Sequence, residues 1–154
     1  MVEIYLRDDG GTIRRLNAHS SASGQGGPHT YRTIQVATGV YAFLTPEERS
    51  SFQSGNSIAV IGEDGVLVFD TGNIPGATRR QIAELRKLTD KPVRFVVNSH
   101  WHPDHNFGNA EYRRAFPGVV VLGTFATRAG ILERVPGYLG QVKSFASRAR
   151  SGLR

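Results

Sequence analysis

Three histidines and an aspartate lie within six residues of this chain, directly after an apolar run that predicts a β-strand. The strand is Val93–Val97, and the cluster is His100-Trp101-His102-Pro103-Asp104-His105. Residues two apart on an extended segment project to the same side, so the imidazoles of His100 and His102 point together. Pro103 suits the first turn of a helix, which would bring Asp104 and His105 beside them. The sequence therefore predicts a strand end that gathers four metal-ligand side chains.

The ligand types indicate which metals such a site would hold. The chain has no cysteine, which excludes disulfides, Fe–S clusters, thiolate zinc sites and cysteine nucleophiles. Imidazole and carboxylate ligands suit zinc, with iron or manganese as alternatives, and four of them can hold two adjacent ions. A metal-bound water becomes hydroxide near neutral pH, and Asp104 is the candidate to ligate a metal and to take up a proton. The competing interpretation is a hydrogen-bonded surface loop, which four ligands at one strand end disfavour.

The cluster resembles the metal-binding motif of the metallo-β-lactamase superfamily. Asn106-Phe107-Gly108-Asn109 follows it in the place of that family's glycine-bearing turn. Upstream, Val66-Leu67-Val68-Phe69-Asp70-Thr71-Gly72 is similar to the family's strand that ends in Asp-Thr-Gly. The resemblance extends over residues 34–132 and implies a metal-dependent hydrolase that uses two zinc ions.

The resemblance also implies a role for each residue of the motif. His100 and His102 would bind the first metal, and Asp104 and His105 would bind the second. Asp70 would lie behind the ligands and steady them, as carboxylates behind ligating histidines do. Considered alone, Asp70 could equally be an ordinary turn residue at a strand end.

The order of elements along the chain predicts an α/β fold. Residues 1–30 are expected to be a flexible leader with a short strand at Met1–Leu6, and residues 31–154 a partial domain. Two apolar runs around the turn Glu63-Asp64-Gly65 predict a hairpin. The remaining predicted strands are Ile34–Val36, Val40–Leu44, Val93–Val97 and a buried Val119–Leu122, and the helices are Ala77–Leu88, Asn109–Phe116, Phe125–Arg134 and Leu139–Arg150. By the resemblance, this is the N-terminal half of an αββα sandwich, a mixed sheet with flanking helices.

The chain departs from the family in its downstream ligands. No histidine and no aspartate follows His105, and the only later acids are Glu111 and Glu133. His19 and His29 lie in the expected leader, where ligation would first require that segment to become ordered. We therefore expect the N-terminal half of a longer enzyme, with an apolar sheet face left uncovered. Self-association through that face is expected, although a second copy would not supply the absent ligands.

Three functions remain open on the sequence. The first is a hydrolase that acts on a small molecule, cleaving an ester, thioester, lactone, β-lactam or phosphodiester bond. The second is a truncated, inactive member of the fold that binds metal weakly or not at all. The third, nucleic-acid processing, is suggested by the net charge of +6, but the basic residues are spread along the chain and form no aromatic-interleaved stripe.

Two further expectations concern location and the tryptophan. No signal peptide or membrane-spanning segment is visible, so a cytoplasmic location is the default expectation and no membrane partner is expected. Trp101 suggests either an aromatic wall near the metals or a packing residue, and packing is slightly favoured.

Overall fold

The computed structural model describes residues 4–7, 13–16, 31–45 and 55–151. Strands β1 (Ile4–Arg7) and β2 (Ile13–Leu16) pair antiparallel as a two-stranded sheet. The strand predicted at Met1–Leu6 thus corresponds in part to β1. Most of the predicted leader, including His19 and His29, lies outside the described residues, so its flexibility stays a prediction.

A six-stranded mixed sheet forms the centre of the domain. Its neighbours follow the chain order β3-β4-β5-β6-β7-β8. The first four strands pair antiparallel, whereas β6 with β7 and β7 with β8 pair parallel. This confirms the predicted α/β class with a mixed sheet. The strands are β3 (Arg32–Ala37), β4 (Val40–Leu44), β5 (Ser57–Ile61), β6 (Val66–Phe69), β7 (Val93–Val97) and β8 (Val120–Leu122).

The antiparallel strands turn where the glycines predict. Gly39 joins β3 to β4 with φ of 70°, a left-handed backbone conformation that glycine adopts without a Cβ penalty. The turn between β5 and β6 closes when the Gly62 N–H donates to the carbonyl of Gly65 at 2.9 Å. The hairpin predicted from Asp64-Gly65 is therefore present.

Helices provide the crossover connections between the parallel strands. Helix α1 (Pro75–Leu88) connects β6 to β7, and α2 (Pro103–Asn106) with α3 (Asn109–Ala115) connects β7 to β8. Parallel neighbours require such crossovers, whereas antiparallel ones need only a tight turn. Pro103 is the first residue of α2, as its fixed φ predicts.

The end of the described chain differs from the sequence-based prediction. Separate helices at Phe125–Arg134 and Leu139–Arg150 were expected. The structure has one helix, α4 (Phe125–Ser151), that continues through Pro136. A proline in the interior of a helix removes one backbone hydrogen bond and destabilises the helix. Contacts with other parts of the chain are therefore needed to stabilise a helix that continues through Pro136.

The hydrophobic core lies between one face of the sheet and helices α1 and α3. Ile82 and Leu85 of α1 and Tyr112 of α3 pack with buried residues of the sheet such as Val68 and Val96. The helical spacing of Ile82, Leu85 and Leu88 predicted this apolar face, and Leu88 is partly buried against the same core.

The opposite face of the sheet is apolar and largely uncovered along β5 to β8. Ile58, Val60, Phe69 and Phe95 are each about two fifths exposed on this side. Strand β8 was predicted to be buried, but Val120 is 48% and Leu122 45% exposed, because β8 is an edge strand with one face open. Self-association through this face stays a prediction.

Among the described residues, no helix combines the length and the apolar character needed to cross a lipid bilayer.

Candidate metal site

The site residues meet because two neighbouring strands are parallel. Strand β6 ends at Phe69 and is followed by Asp70, and β7 ends at Val97 and is followed by Asn98 and Ser99. Phe69 and Val97 are register partners, so the two chains leave the sheet side by side. In open α/β sheets this carboxyl edge is where ligands bind.

Asp70 is buried and receives three hydrogen bonds from the loop after β7. The Ser99 N–H donates to Oδ1 at 2.8 Å and the Ser99 hydroxyl donates to Oδ2 at 2.7 Å. The His105 Nδ1 atom lies 2.7 Å from the same Oδ2. Asp70 has φ of 59°, a conformation that costs a non-glycine residue about 1–2 kcal/mol, and these bonds offset that strain. Asp70 is thus an organising residue of the site and more than a simple turn residue.

The hydrogen bonds of Asp70 assign the tautomer of His100. Because the Ser99 hydroxyl donates its proton to Asp70, its oxygen can only accept from His100 Nδ1, which lies 2.9 Å away. The proton of neutral His100 then resides on Nδ1, and Nε2 carries the free lone pair. That lone pair points away from Asp70 and towards the next histidine.

His100 and His102 turn their ring nitrogens towards each other. Nε2 of His100 lies 2.8 Å from Nδ1 of His102, and the two rings meet edge to face. Two nitrogens bound to one tetrahedral zinc would lie about 3.3 Å apart at Zn–N distances of about 2.0–2.1 Å. The pair therefore needs to separate by only about half an ångström to hold an ion.

His105 and Asp104 form a second pair of possible metal ligands. Because Nδ1 of His105 donates to the Asp70 carboxylate, its Nε2 carries the lone pair when the ring is neutral. That nitrogen lies 3.1 Å from Oδ2 of Asp104. A lone pair facing a carboxylate oxygen is unfavourable unless a proton or a cation lies between them. The two donors thus have the chemistry of a cation site.

The electrostatics around His100 favour its neutral form. Partial burial lowers the pKa of His100, and the neighbouring imidazoles of His105 and His102 lower it further. The carboxylates of Asp70 and Asp104 oppose this shift but do not reverse it. The ring centroids of His100 and His105 are 4.1 Å apart, which makes two positive rings costly together. A neutral imidazole is the form that ligates a metal.

Several residues that the sequence analysis did not single out hold the backbone of this loop. The carbonyl of His105 accepts from the Thr71 N–H at 2.9 Å and from the Asn98 side chain at 3.2 Å. Asn109 closes the network by donating to the Asn98 side-chain oxygen at 2.7 Å and accepting from the Thr71 hydroxyl at 3.0 Å. Among these, Thr71 and Asn109 belong to the quoted motif segments, whereas Asn98 and Ser99 carried no signal apart from preceding the cluster.

A glycine is required where the loop returns to the strand end. A Cβ atom on Gly108 would lie 2.1 Å from the carbonyl oxygen of Thr71 and 2.6 Å from the Thr78 hydroxyl. The Gly108 N–H donates to the carbonyl of Gly72 at 3.1 Å. Only glycine permits this backbone approach, so the glycine-bearing turn has a packing function here.

Trp101 packs and also touches a site residue. Its ring lies 4.3 Å from the His102 ring, centroid to centroid, and the Arg134 guanidinium lies over the indole ring, 4.7 Å from its centroid. The Asn106 side chain donates to the carbonyls of Trp101 and His102 at 2.8 and 2.7 Å. The slightly favoured packing interpretation therefore agrees with these contacts.

All five residues predicted for the site lie together, but the ligand number is small. Within the described part of the chain, no group of three or more histidine, cysteine, aspartate or glutamate side chains is arranged to hold one ion. Glu111 instead pairs with Arg79 and Arg114. Imidazole nitrogens and a carboxylate oxygen are ligand types that zinc accepts. With two such ligands per ion, each ion would have fewer than the three protein ligands of a usual catalytic zinc site.

The fold and the strand-end cluster are those of one superfamily. The model of the metallo-beta-lactamase superfamily matches residues 51–149, well over half of the chain. The chain belongs to the metallo-β-lactamase superfamily. The linear primary-alkylsulfatase of Pseudomonas sp. (strain ATCC 19151) is 43% identical over 42 residues, which are 27% of this chain and 8% of the alkylsulfatase.

Solved structures agree on the fold. A metallo-β-lactamase from Hirschia baltica superposes with a TM-score of 0.56 at 20% identity, covering 68% of this chain and 48% of its own. The mono-zinc form of the metallo-β-lactamase FIM-1 from Pseudomonas aeruginosa superposes with a TM-score of 0.55 at 20% identity, covering 68% of this chain and 46% of its own. A metallo-β-lactamase from Erythrobacter litoralis superposes with a TM-score of 0.57 at 24% identity, covering 71% of this chain and 47% of its own. The chain spans about half the length of these structures.

Proposed function

We propose that this chain carries the N-terminal metal-binding half of a hydrolase that attacks an ester, thioester, lactone or β-lactam-type bond of a small molecule with an activated water. The observation that carries the proposal is the hydrogen-bond pattern of Asp70. By holding protons on Nδ1 of His105 and, through Ser99, on Nδ1 of His100, it leaves a lone pair on each Nε2 atom with which the ring could ligate a metal. Superfamily membership supports a hydrolase-type function.

The residues would act as follows. His100 and His102 would hold one zinc ion, and Asp104 and His105 a second, with Asp70 keeping the imidazoles in orientation. Zinc, when bound, lowers the pKa of a coordinated water to near 7, and iron or manganese are alternatives. Asp104, whose side chain is partly exposed, accepts the proton of the attacking water at a carboxylate oxygen. Asp70 is buried beneath the histidines, so of these two carboxylates Asp104 is the one that a water molecule can reach.

A primary alkyl sulfate is a second candidate substrate. The observation that favours it is the 43% identity over 42 residues with the linear primary-alkylsulfatase, a short match but a much higher identity than to the β-lactamases. The bond cleaved would then be a sulfate ester. The chemistry required of the residues is the same, since a water and a metal pair suit both carbonyl and sulfuryl centres.

The test uses the purified chain with added zinc. Metal content is measured by mass spectrometry after dialysis, and turnover is measured on a chromogenic β-lactam, a thioester, a lactone and a primary alkyl sulfate. Bound metal with turnover that His102→Ala abolishes would support the proposal, and the substrate that is cleaved selects the class. Bound metal without turnover, or no bound metal, would favour the alternative of an inactive, truncated member of the fold.

A further inference from the structure

The long helix α4 contacts the segment that carries the histidines, residues 99–107, along one face. We call this segment the histidine loop. The residues of α4 on this face are Thr127, Gly130, Arg134 and Tyr138, spaced by three, four and four residues. Such spacing places side chains on the same face of a helix. We call these four residues the α4 stripe. Thr127 and Gly130 are buried and Tyr138 is half-buried, while neighbours such as Arg128 are exposed.

The ends of the α4 stripe hold the ends of the loop. The Thr127 hydroxyl lies 3.4 Å from the carbonyl of Ser99, to which it donates, just before the histidines begin. At the other end, the rings of Tyr138 and Phe107 meet edge to face with centroids 5.7 Å apart. The helix therefore spans the whole loop from the strand end to the residue after α2.

The middle of the α4 stripe holds Trp101. A Cβ atom on Gly130 would lie 2.6 Å from both Cβ and Cγ of Trp101, so the tryptophan rests directly on the helix backbone. The Arg134 guanidinium lies 4.7 Å from the centre of the indole. A guanidinium at this distance from an indole is attracted to its π-system. Both contacts restrain the indole from the helix side.

Trp101 in turn contacts His102, the most exposed member of the site. The two ring centroids are 4.3 Å apart. Among the described residues, the ring of His102 is otherwise in contact with that of His100, whereas His100 and His105 are each linked to Asp70 by hydrogen bonds. The orientation of His102 thus depends on the tryptophan beside it.

We propose that the α4 stripe is a clamp on Trp101 that fixes the imidazole of His102 opposite that of His100, with Trp101, Gly130 and Arg134 as positioning residues. The consequence for metal affinity rests on the proposed function. The restraint of Trp101 and His102 does not rest on the proposed function, because it concerns contacts within the chain itself.

The single tryptophan of the chain gives a direct readout. Gly130→Ala adds a methyl group against Trp101, and the matched control is Gly137→Ala in the same helix, where a Cβ would meet nothing within 4 Å. Both changes raise helix propensity alike. The measurements are near-UV circular dichroism and fluorescence of Trp101, the NMR signals of the His102 ring, and affinity for Co²⁺ with its visible spectrum.

The clamp predicts effects in Gly130→Ala alone. The near-UV signal of Trp101 weakens, the His102 ring signals shift, and Co²⁺ affinity falls by about tenfold, the size expected when support behind a ligand is lost. Equal spectra and equal affinities in Gly130→Ala and Gly137→Ala would overturn the clamp. If the unaltered chain binds no Co²⁺, the proposed function fails, and the tryptophan and histidine signals still decide the clamp.

A second pair of variants covers the case in which Gly130→Ala does not fold. Arg134→Gln removes the cation over the indole without adding volume, and Arg128→Gln removes an equal charge from an exposed position of α4. The clamp predicts an altered Trp101 fluorescence and about threefold weaker Co²⁺ binding in Arg134→Gln only. Identical behaviour of the two arginine variants would contradict it.

Discussion

The Nδ1 atom of His105 lies 2.7 Å from Oδ2 of Asp70, although 35 residues separate them in the chain. The same carboxylate receives two hydrogen bonds from Ser99, and Ser99 in turn contacts His100. One buried acid thereby orients two imidazoles that would serve different ions. Asp70 therefore links the two imidazoles, directly for His105 and through Ser99 for His100.

Asp70→Asn should weaken metal binding by about 10–100-fold, the range typical for groups that support metal ligands. The amide keeps the shape but loses the charge, and its NH₂ group can accept no hydrogen bond, so one side of the contacts with Ser99 and His105 loses its acceptor. Zinc titration by calorimetry measures the effect. Asp64→Asn, in the exposed hairpin turn, is the control and should bind as the unaltered chain does. An Asp70→Asn protein with unchanged affinity would remove Asp70 from the site.

Ser99→Ala should have a smaller effect, because it removes only the link from Asp70 to His100. We expect metal affinity to fall by about tenfold, and Ser99→Thr to restore most of it by returning the hydroxyl. Competition with a chromophoric chelator measures all three proteins. If threonine does no better than alanine, the hydroxyl does not act through this hydrogen bond.

Glu111→Gln should lower the free energy of unfolding at neutral pH and make it fall less as the pH is lowered. Burial raises the pKa of the Glu111 carboxyl, but hydrogen bonds and charge from Arg114 and Arg79 outweigh that and lower it below its usual 4.5. A lowered folded-state pKa gives stability that is present above about pH 4.5 and is lost as the pH falls through the folded value.

Urea unfolding at pH 7 and at successively lower pH tests this prediction. The unaltered protein should lose stability below about pH 4.5 by a larger amount than Glu111→Gln does. Glu63→Gln, in the exposed turn, serves as the control and should keep the full acid dependence. Parallel pH curves for the unaltered protein and Glu111→Gln would contradict the prediction.

Leu85→Ala should lower the free energy of unfolding by about 2–5 kcal/mol, as large-to-small changes in a packed core do. Leu85 is 1% exposed and packs among the buried residues of α1 and the sheet. Leu132→Ala on the exposed side of α4 should change it by less than about 0.5 kcal/mol. Denaturant unfolding followed by far-UV circular dichroism compares them, and similar losses in both would place the core elsewhere.

Two copies of this chain should associate through the uncovered sheet face. The exposed hydrophobic side chains named on that face would be removed from water by pairing, although two copies that each carry a net charge of +6 repel one another at low ionic strength. Phe95→Ser should shift sedimentation towards monomer at a given concentration. Phe125→Ser, which changes an exposed phenylalanine at the start of α4, should not. A monomer at all concentrations, or equal shifts in both variants, would rule out this face.

The sequence alone predicted most of the elements, and it named five side chains that the structure places close together. Alternating and helical spacing located strands and α1, because these periods follow from neighbouring residues. The five side chains named for the site lie together because four of them are local and Asp70 ends an adjacent strand. The role of Ser99 was missed, since its function depends on a partner 29 residues away.

Helix α4 shows most clearly where local rules were insufficient. Two helices were expected in place of α4, and Pro136 disfavours a continuous helix because a proline in a helix interior costs about 3 kcal/mol. The helix continues, and Tyr138 beyond the proline packs on Phe107 while Gly130 before it supports Trp101. Contacts with the loop that follows β7 therefore lie on both sides of Pro136, and their partners in that loop cannot be read from the sequence of α4 alone.

The sequence by itself determined which side chains could serve as ligands, where strands and turns fall, and that a proline would begin α2, since each depends on residues a few positions apart. Tertiary structure decided which ring nitrogens are free, how His102 is held, and that Val120 and Leu122 remain exposed. These depend on the register of β6 against β7 and on which sheet face is covered, and both are set by contacts between segments far apart in the chain.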